Sequence, residues 1–394
     1  MEQKTVLVAF GGASPEHEVS VITAHQAIAA LEESKYQISP LYITKNGRWL
    51  TGEDLLDLKN FEDLKKLENS CTPCTFSQNE FGQPVLQEQK TGFFSKQKRT
   101  PIYAVLDAFH GSKGENGAFQ GACEMFNIPC TGSGVMGSSI GMDKVMAKTI
   151  CRAHDIPVVD GVDFVEQEWI EDQPALIKNI ESLKYPVIVK PVHLGSSIGV
   201  EVVNNQESLV HAVETAFKYD NHLLVEKVVT PLMEINCSVL GSSREQRTSV
   251  CERPLGKEEL LSFQDKYMND QEAKGMASAD REIPANIPNE LAKSIQKTSV
   301  DVFKLLACSG LARLDFLVNE ETGQYYFNEI NTIPGSFSFY LWKESDITFK
   351  DLLFELIEIA VEEQNQKARR IQSYDTNLLS QKAVKGIKGL KTNK

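Results

Sequence analysis

Two segments late in the chain, LARLDFLV (residues 311–318) and YYFNEIN (residues 325–331), carry residue types suited to metal and phosphate chemistry. Between them NEETGQ, with Gly323, reads as a hairpin loop. Pairing about that loop sets Asp315 opposite Glu329 and Arg313 opposite Asn331. Strand side chains alternate, so these four share one face and Leu314, Phe316, Val318 and Ile330 share the other, core-facing one. Two carboxylates directly opposite each other destabilise a sheet unless a cation sits between them. Carboxylate and amide oxygens beside phosphates are what Mg²⁺ prefers. The competing reading is a solvated hairpin face on which Arg313 neutralises both acids.

YPVIVKPVHLGSSIGV places Lys190 at the end of a buried strand and follows it with Gly195, Ser196, Ser197 and Gly199. Such a loop brings backbone N–H groups close to phosphate oxygens, and the lysine adds a point charge. Lys144, after GSSIGMD, could reach the same nucleotide. The competing readings are a plain turn and a solvated helix lysine. The chain has no GxxxxGK[ST], so the loop is not a Walker loop. Glu16 lies in the loop after the first strand, where open α/β sheets bind ligands. His110, in DAFHGSKGENG, takes the same position after another strand and is a candidate substrate contact. A full GxGxxG is absent, which disfavours a dehydrogenase, and spacing assembles no Ser-His-Asp set.

The elements that must position these residues are legible in outline. TVLVAF, then a glycine loop, then VITAHQAIAALEE reads as strand, loop and helix. ISPLYI and PIYAVLDAFHG repeat the buried-strand pattern and GAFQGACEMFNIPC reads as a helix. Residues 1–130 are therefore expected to form an α/β domain on a parallel sheet, with polar residues 52–98 as an insertion or surface segment. Residues 131–230 read as a small α+β layer. Residues 231–365 read as a second one, ending in the amphipathic helix FKDLLFELIEIAVEE. Residues 366–394 form a basic tail, expected to be loosely ordered.

With 394 residues, 41% hydrophobic and 24% charged, the chain suits two or three globular domains and excludes a minimal binding module. No apolar run approaches the roughly 18 residues needed to span a bilayer, and MEQKTVLVAFGG does not read as a signal peptide, so a cytoplasmic protein is expected. A formal charge of −13 disfavours nucleic acid as a partner. That charge is uneven: residues 367–394 carry eight Lys/Arg against one acid, and the rest 33 bases against 53 acids. The eight cysteines sit mostly in apolar stretches and read as reduced thiols. Cys71 and Cys74 form a lone CxxC with no partner pair at zinc spacing.

Taken together, GGASPEHEVS, FHGSKGENGAFQG, CTGSG with GMDK, VIVKPVHLGSSIGV, LLVEKVV, FQDKY, ARLDF and NEINTIPG stand in the order seen in D-alanine–D-alanine ligases of the ATP-grasp superfamily. The chain resembles that family over residues 4–365. The resemblance implies a three-domain ATP-grasp architecture: an N-terminal Rossmann-like domain and two α+β ATP-grasp subdomains. It also implies ATP, two Mg²⁺ (or Mn²⁺), D-alanine as substrate, peptidoglycan synthesis as the setting, and a homodimer as a common quaternary state. By motif, Asp315, Glu329 and Asn331 would be metal ligands, and Lys144 and Lys190 would hold ATP phosphates. Glu226 would read the adenine side of the hinge, Glu234 would bind the ribose, and Ser196 and Ser197 would cover the reacting phosphate. Lys266 and Tyr267 would belong to the lid, and Glu16, supported by His110, would bind the first ammonium. Arg313 and the Gly335 N–H would stabilise the oxyanion.

Departures from the family pattern concern the second substrate. Tyr340 stands where the family has a serine that binds the acceptor carboxylate, GEDG reads GENG with Asn116, and FQDKY lacks the usual preceding tyrosines. The resemblance thus leaves open a ligase for D-serine, D-lactate or another amino acid. A nucleotide-binding scaffold without catalysis is a further alternative, one that predicts erosion of the metal triad or Arg313; neither is eroded.

Overall fold

Val6–Phe10 contains no polar side chain and is fully buried, as only an interior strand covered on both faces can be. In the computed structural model, which describes residues 3–32, 34–90, 97–255, 281–371 and 373, this run lies in the strand Lys4–Gly11. That strand pairs in parallel with Tyr36–Ile43 on one side and Ala104–Asp107 on the other. Beyond Tyr36–Ile43, four strands join antiparallel: Trp49–Thr51, Thr72–Gln78, Pro84–Glu88 and Arg99–Pro101. The three strands read from the sequence are parallel as expected, and the four added ones make the seven-stranded sheet mixed. Residues 44–48 are the reason. They turn back tightly, with Gly47 N–H donating to the Thr44 carbonyl at 2.8 Å, and a parallel return needs a crossover of about a dozen residues or more. The polar 52–98 stretch supplies part of this sheet, with Cys74, Phe76, Val85 and Leu86 buried.

A second, four-stranded antiparallel sheet runs Glu201–Val203, Val187–Pro191, His222–Lys227, Gly161–Val165. Helices Glu166–Glu181 and Gln206–Ala216 cover it, placing Trp169, Leu209 and Val213 in one core with Val187, Val189 and Val225. A third sheet, also antiparallel, runs Arg281–Glu282, Gln246–Pro254, Leu232–Gly241, Gly310–Asn319, Tyr325–Asn331. It packs against helix Asn289–Leu305 through Ile295, Val302 and Phe303.

The helix Phe349–Ala368 does more than close the third unit. Its Leu352, Leu353, Leu356 and Ile357 share a core with Val6, Val8 and Phe10 of the first sheet and with Leu240 and Leu311 of the third. Each such side chain contributes about 1.5–3 kcal/mol when fully buried, so this helix fixes the first and third sheets to each other. Among the described residues no helix is long and apolar enough to cross a membrane. Lys266, Tyr267 and most of the basic tail lie outside the described residues.

Candidate active site

The strands Gly310–Asn319 and Tyr325–Asn331 pair about a loop in which Gly323 takes a φ of +70° and donates its N–H to the Asn319 carbonyl at 2.8 Å. A glycine meets that backbone requirement without steric cost. Arg313 stands opposite Asn331 and Asp315 opposite Glu329, as the spacing predicts, and Leu314, Phe316, Val318 and Ile330 lie in the core. The register then shifts: Phe316 faces Phe327, so Asn328 is the extra residue of a β-bulge. Nothing in the alternation announces it. Its side-chain oxygen accepts from Lys190 Nζ at 3.1 Å.

Each facing acid has its own cation. Arg313 grips Asp315 with two hydrogen bonds of 2.7 Å, and Lys144 Nζ lies 3.2 Å from Glu329 Oε2. The reading in which Arg313 neutralises both acids thus holds only for Asp315. Burial alone would lower the Arg313 guanidinium, but the charge of Asp315 raises it. Asn331 Nδ2 donates to Asp315 at 3.0 Å. Two carboxylates and an amide form a hard oxygen donor set that fits Mg²⁺. Among the described residues no three His, Cys, Asp or Glu side chains cluster as a metal site of their own.

Lys144 opens the helix Lys144–Ala153, capped by Asp143, and its Nζ donates to the Leu194 carbonyl at 2.6 Å. One turn on stands Lys148, which the sequence reading did not single out; its i,i+4 spacing from Lys144 was the available signal. Lys148 and Lys190 both bond the buried carboxylate of Glu226. Burial by itself would push Glu226 up, but the two lysines hold it down at about 2. Burial lowers Lys148 to about 8 despite Glu226.

After the strand Val187–Pro191 the chain enters the Gly195–Gly199 loop, where Ser196 and Ser197 hold φ values of +54° and +57°. This left-handed conformation is uncommon for residues other than glycine. It turns Ser196 Oγ onto Glu16, to which it donates a hydrogen bond. Gly111 approaches the same carboxylate at a φ of +67°, a conformation that favours glycine, and a Cβ there would lie 2.6 Å from Glu16 Oε2. The sequence reading missed Glu115, which accepts the Gly111 N–H at 2.9 Å and the Ile333 N–H at 3.2 Å. Burial and then the charge of Glu16 push it up to about 7. The buried His110 is lowered by burial to about 4, so it is neutral. Its Nε2 lies 2.8 Å from Thr23 Oγ1, which also accepts the Ser336 N–H at 3.1 Å.

One cleft gathers many of these groups. Glu16, His110 and Glu115 line it from segments that follow strands of the first sheet, Lys144 and Ser196 from the middle of the chain, and Arg313, Glu329 and Asn331 from the third sheet, with Gly335 in the turn beyond it. Lys190, Ser197, Glu226, Glu234, Asp315 and Tyr340 are not among its lining residues. Glu234 lies on the strand beside Asp315, two positions before Asn236, the residue that faces Asp315. Tyr340 is buried, with its hydroxyl 3.5 Å from Glu252 and its ring 4.0 Å from the Arg281 guanidinium. Arg281 is itself ion-paired to Glu252 at 2.9 Å.

Comparison with known proteins gives the family. The family model described as the N-terminus of D-ala D-ala ligase matches residues 5–133, and that of its C-terminus matches residues 150–358. The D-alanine–D-alanine ligase of Thermosipho africanus is 39% identical over 376 residues, covering 95% of this chain and 98% of the relative. That of Natranaerobius thermophilus is 36% identical, covering 94% and 98%. Among solved structures, the D-alanine–D-alanine ligase of Coxiella burnetii superposes with a TM-score of 0.76 at 28% identity, covering 93% of this chain and 97% of that one. The VanG D-Ala:D-Ser ligase of Enterococcus faecalis gives 0.76 at 31%, covering 91% and 100%. Matched by both halves of the family model and by relatives along nearly its whole length, the chain belongs to the D-alanine–D-alanine ligase family, with an ATP-grasp fold.

Proposed function

We propose that this chain is an ATP-dependent ligase that joins two D-alanine molecules into the dipeptide used for peptidoglycan, acting in the cytoplasm where ATP and free D-alanine are found. The observation that carries this is the convergence in one cleft of a carboxylate site (Glu16), a phosphate site (Lys144 with the Ser196 loop) and an oxyanion site (Arg313 with Gly335). In this reading Glu16 receives the ammonium of the first D-alanine, and Ser196 keeps Glu16 in position. The carboxylate of that D-alanine attacks the γ-phosphorus of ATP. The bond to the ADP oxygen breaks and an acyl phosphate forms.

Lys144 and the backbone of the half-buried Ser196–Ser197 turn take up charge on the transferring phosphoryl group. Glu226 holds Lys148 and Lys190 in place behind them, and Glu234 is assigned to the ribose. The amine of the second D-alanine then attacks the acyl carbon and loses a proton, and the bond to the phosphate oxygen breaks. Arg313 and the Gly335 N–H are the groups assigned to the oxyanion of that tetrahedral species. Asp315, Glu329 and Asn331 would hold two Mg²⁺ ions, whose chemistry is to neutralise phosphate charge. The test is phosphate release from ATP with Mg²⁺ and D-alanine as sole amino acid. The dipeptide formed in step with phosphate supports the reading; ATP turnover only after a different amino or hydroxy acid is added overturns D-alanine as the acceptor.

A further inference from the structure

His193 stands between the nucleotide-binding helix and the phosphate loop and has no part in the chemistry above. It follows Lys190 by three residues and precedes Ser196 by three. Its backbone N–H donates to Asp220 Oδ2 at 2.7 Å and its Nδ1 lies 3.1 Å from both oxygens of that carboxylate. Its Nε2 lies 3.4 Å from Asp143 Oδ2. Asp143 caps the helix that begins with Lys144; Asp220 lies two residues before His222, where the strand leading to Glu226 begins. An imidazole with a carboxylate on each nitrogen can donate to both only as the imidazolium.

We propose that His193 is a positioning residue: as an imidazolium bridging Asp143 and Asp220, it locks the helix carrying Lys144 to the loop carrying Ser196 and so fixes the geometry of the phosphate site. This rests on the proposed assignment of Lys144 and Ser196 to ATP. Two further ties cross the same gap, from Lys144 Nζ to the Leu194 carbonyl at 2.6 Å and from the Lys144 N–H to the Val192 carbonyl at 3.4 Å. Among the described residues, the charged and titratable groups facing His193 are Asp143 from the helix, Asp220, and His222, whose ring centre is 6.0 Å away and whose own partner is Asp163. Hydrogen bonds to Asp143 and Asp220 raise His193 to about 9. The bridge is therefore complete below the ordinary histidine range and is lost as pH rises through about 9.

The test is the dissociation constant of a non-hydrolysable ATP analogue with Mg²⁺, measured by calorimetry on the full chain from pH 7 to 10, beside steady-state kinetics. His193→Ala is expected to weaken nucleotide binding, and raise KM for ATP, about tenfold with kcat changed far less. His193→Arg, with a charge that does not titrate, is expected to bind close to wild type and to flatten the alkaline weakening; the difference between the two profiles separates His193 from Lys148, which titrates nearby in both. Asp220→Asn should reproduce part of the His193→Ala effect should the alanine variant not fold. Unchanged affinity in His193→Ala, or in Asp220→Asn where only that variant folds, overturns the proposal. The same alkaline weakening in His193→Arg as in wild type also overturns it. Wild-type protein that binds nucleotide but forms no dipeptide would instead contradict the proposed reaction.

Discussion

Asp315 and Glu329 face each other across an antiparallel strand pair, and each carries its own cation, Arg313 at 2.7 Å and Lys144 at 3.2 Å. Arg313 and Lys144 also line the cleft. The same two side chains that screen the acids from each other are thus the ones assigned to the oxyanion and to phosphate.

Replacing Glu329 by Gln should leave the fold intact, because it eases the repulsion with Asp315 and Lys144 keeps its bond to the Leu194 carbonyl. Turnover should fall by about 10³-fold or more, the loss expected when a preorganised charge site is dismantled. Phosphate release together with a thermal melt checks this. Normal phosphate release from the variant would contradict the metal assignment.

Glu226 is bonded by two buried lysines, Lys148 and Lys190. Glu226→Gln should cost about 3–5 kcal/mol, since breaking a buried ion pair leaves charge uncompensated. Lowered to about 2, Glu226 contributes stability that is present above its ordinary 4.5 and lost as pH falls through about 2. Urea unfolding should therefore show a constant gap between variant and wild type from pH 5 to 7, closing in strong acid. Equal midpoints at pH 7 would refute the pairing.

Glu115 has the opposite sign. Raised to about 7, it contributes stability that is complete below its ordinary 4.5 and lost as pH rises through about 7. Between pH 6 and 8 the ligand-free wild type should lose more thermal stability than Glu115→Gln, and saturating D-alanine should restore it by bringing an ammonium to the Glu16–Glu115 pair. Parallel melting curves for the two proteins would contradict this.

Tyr340 fills its position with a ring held by Arg281 and a hydroxyl facing Glu252. Tyr340→Ser should open that space, raise KM for the second D-alanine about tenfold and admit a bulkier acceptor. Competition between D-alanine and D-serine, read by mass spectrometry of the dipeptides, measures the shift. An unchanged product ratio would remove Tyr340 from the acceptor site.

Much of the site is legible in the sequence because strand alternation and one hairpin loop are local constraints. They place Asp315 against Glu329 and Leu314 in the core without any long-range information. Asn328 escapes such reasoning, since a bulge is fixed by what its side chain meets, here Lys190 from another sheet. Lys148 and Glu226 are 78 residues apart, and neither is unusual in its own segment. Glu115 was hidden for a similar reason: its environment is set by Glu16 and by the backbone of Ile333. The mixed first sheet was foreshadowed by the Asn46–Gly47 pair, a turn signal that outweighs the buried-strand pattern on either side.

The central claim is that a D-alanine carboxylate takes the γ-phosphoryl group and is then displaced by the amine of a second D-alanine. D-Alanine labelled with ¹⁸O in its carboxylate, incubated with Mg²⁺ and unlabelled ATP, tests it most directly by mass spectrometry of both products. The account predicts a D-alanyl-D-alanine dipeptide and inorganic phosphate carrying one ¹⁸O from the substrate. Phosphate free of label, or labelled phosphate with no dipeptide, would contradict it.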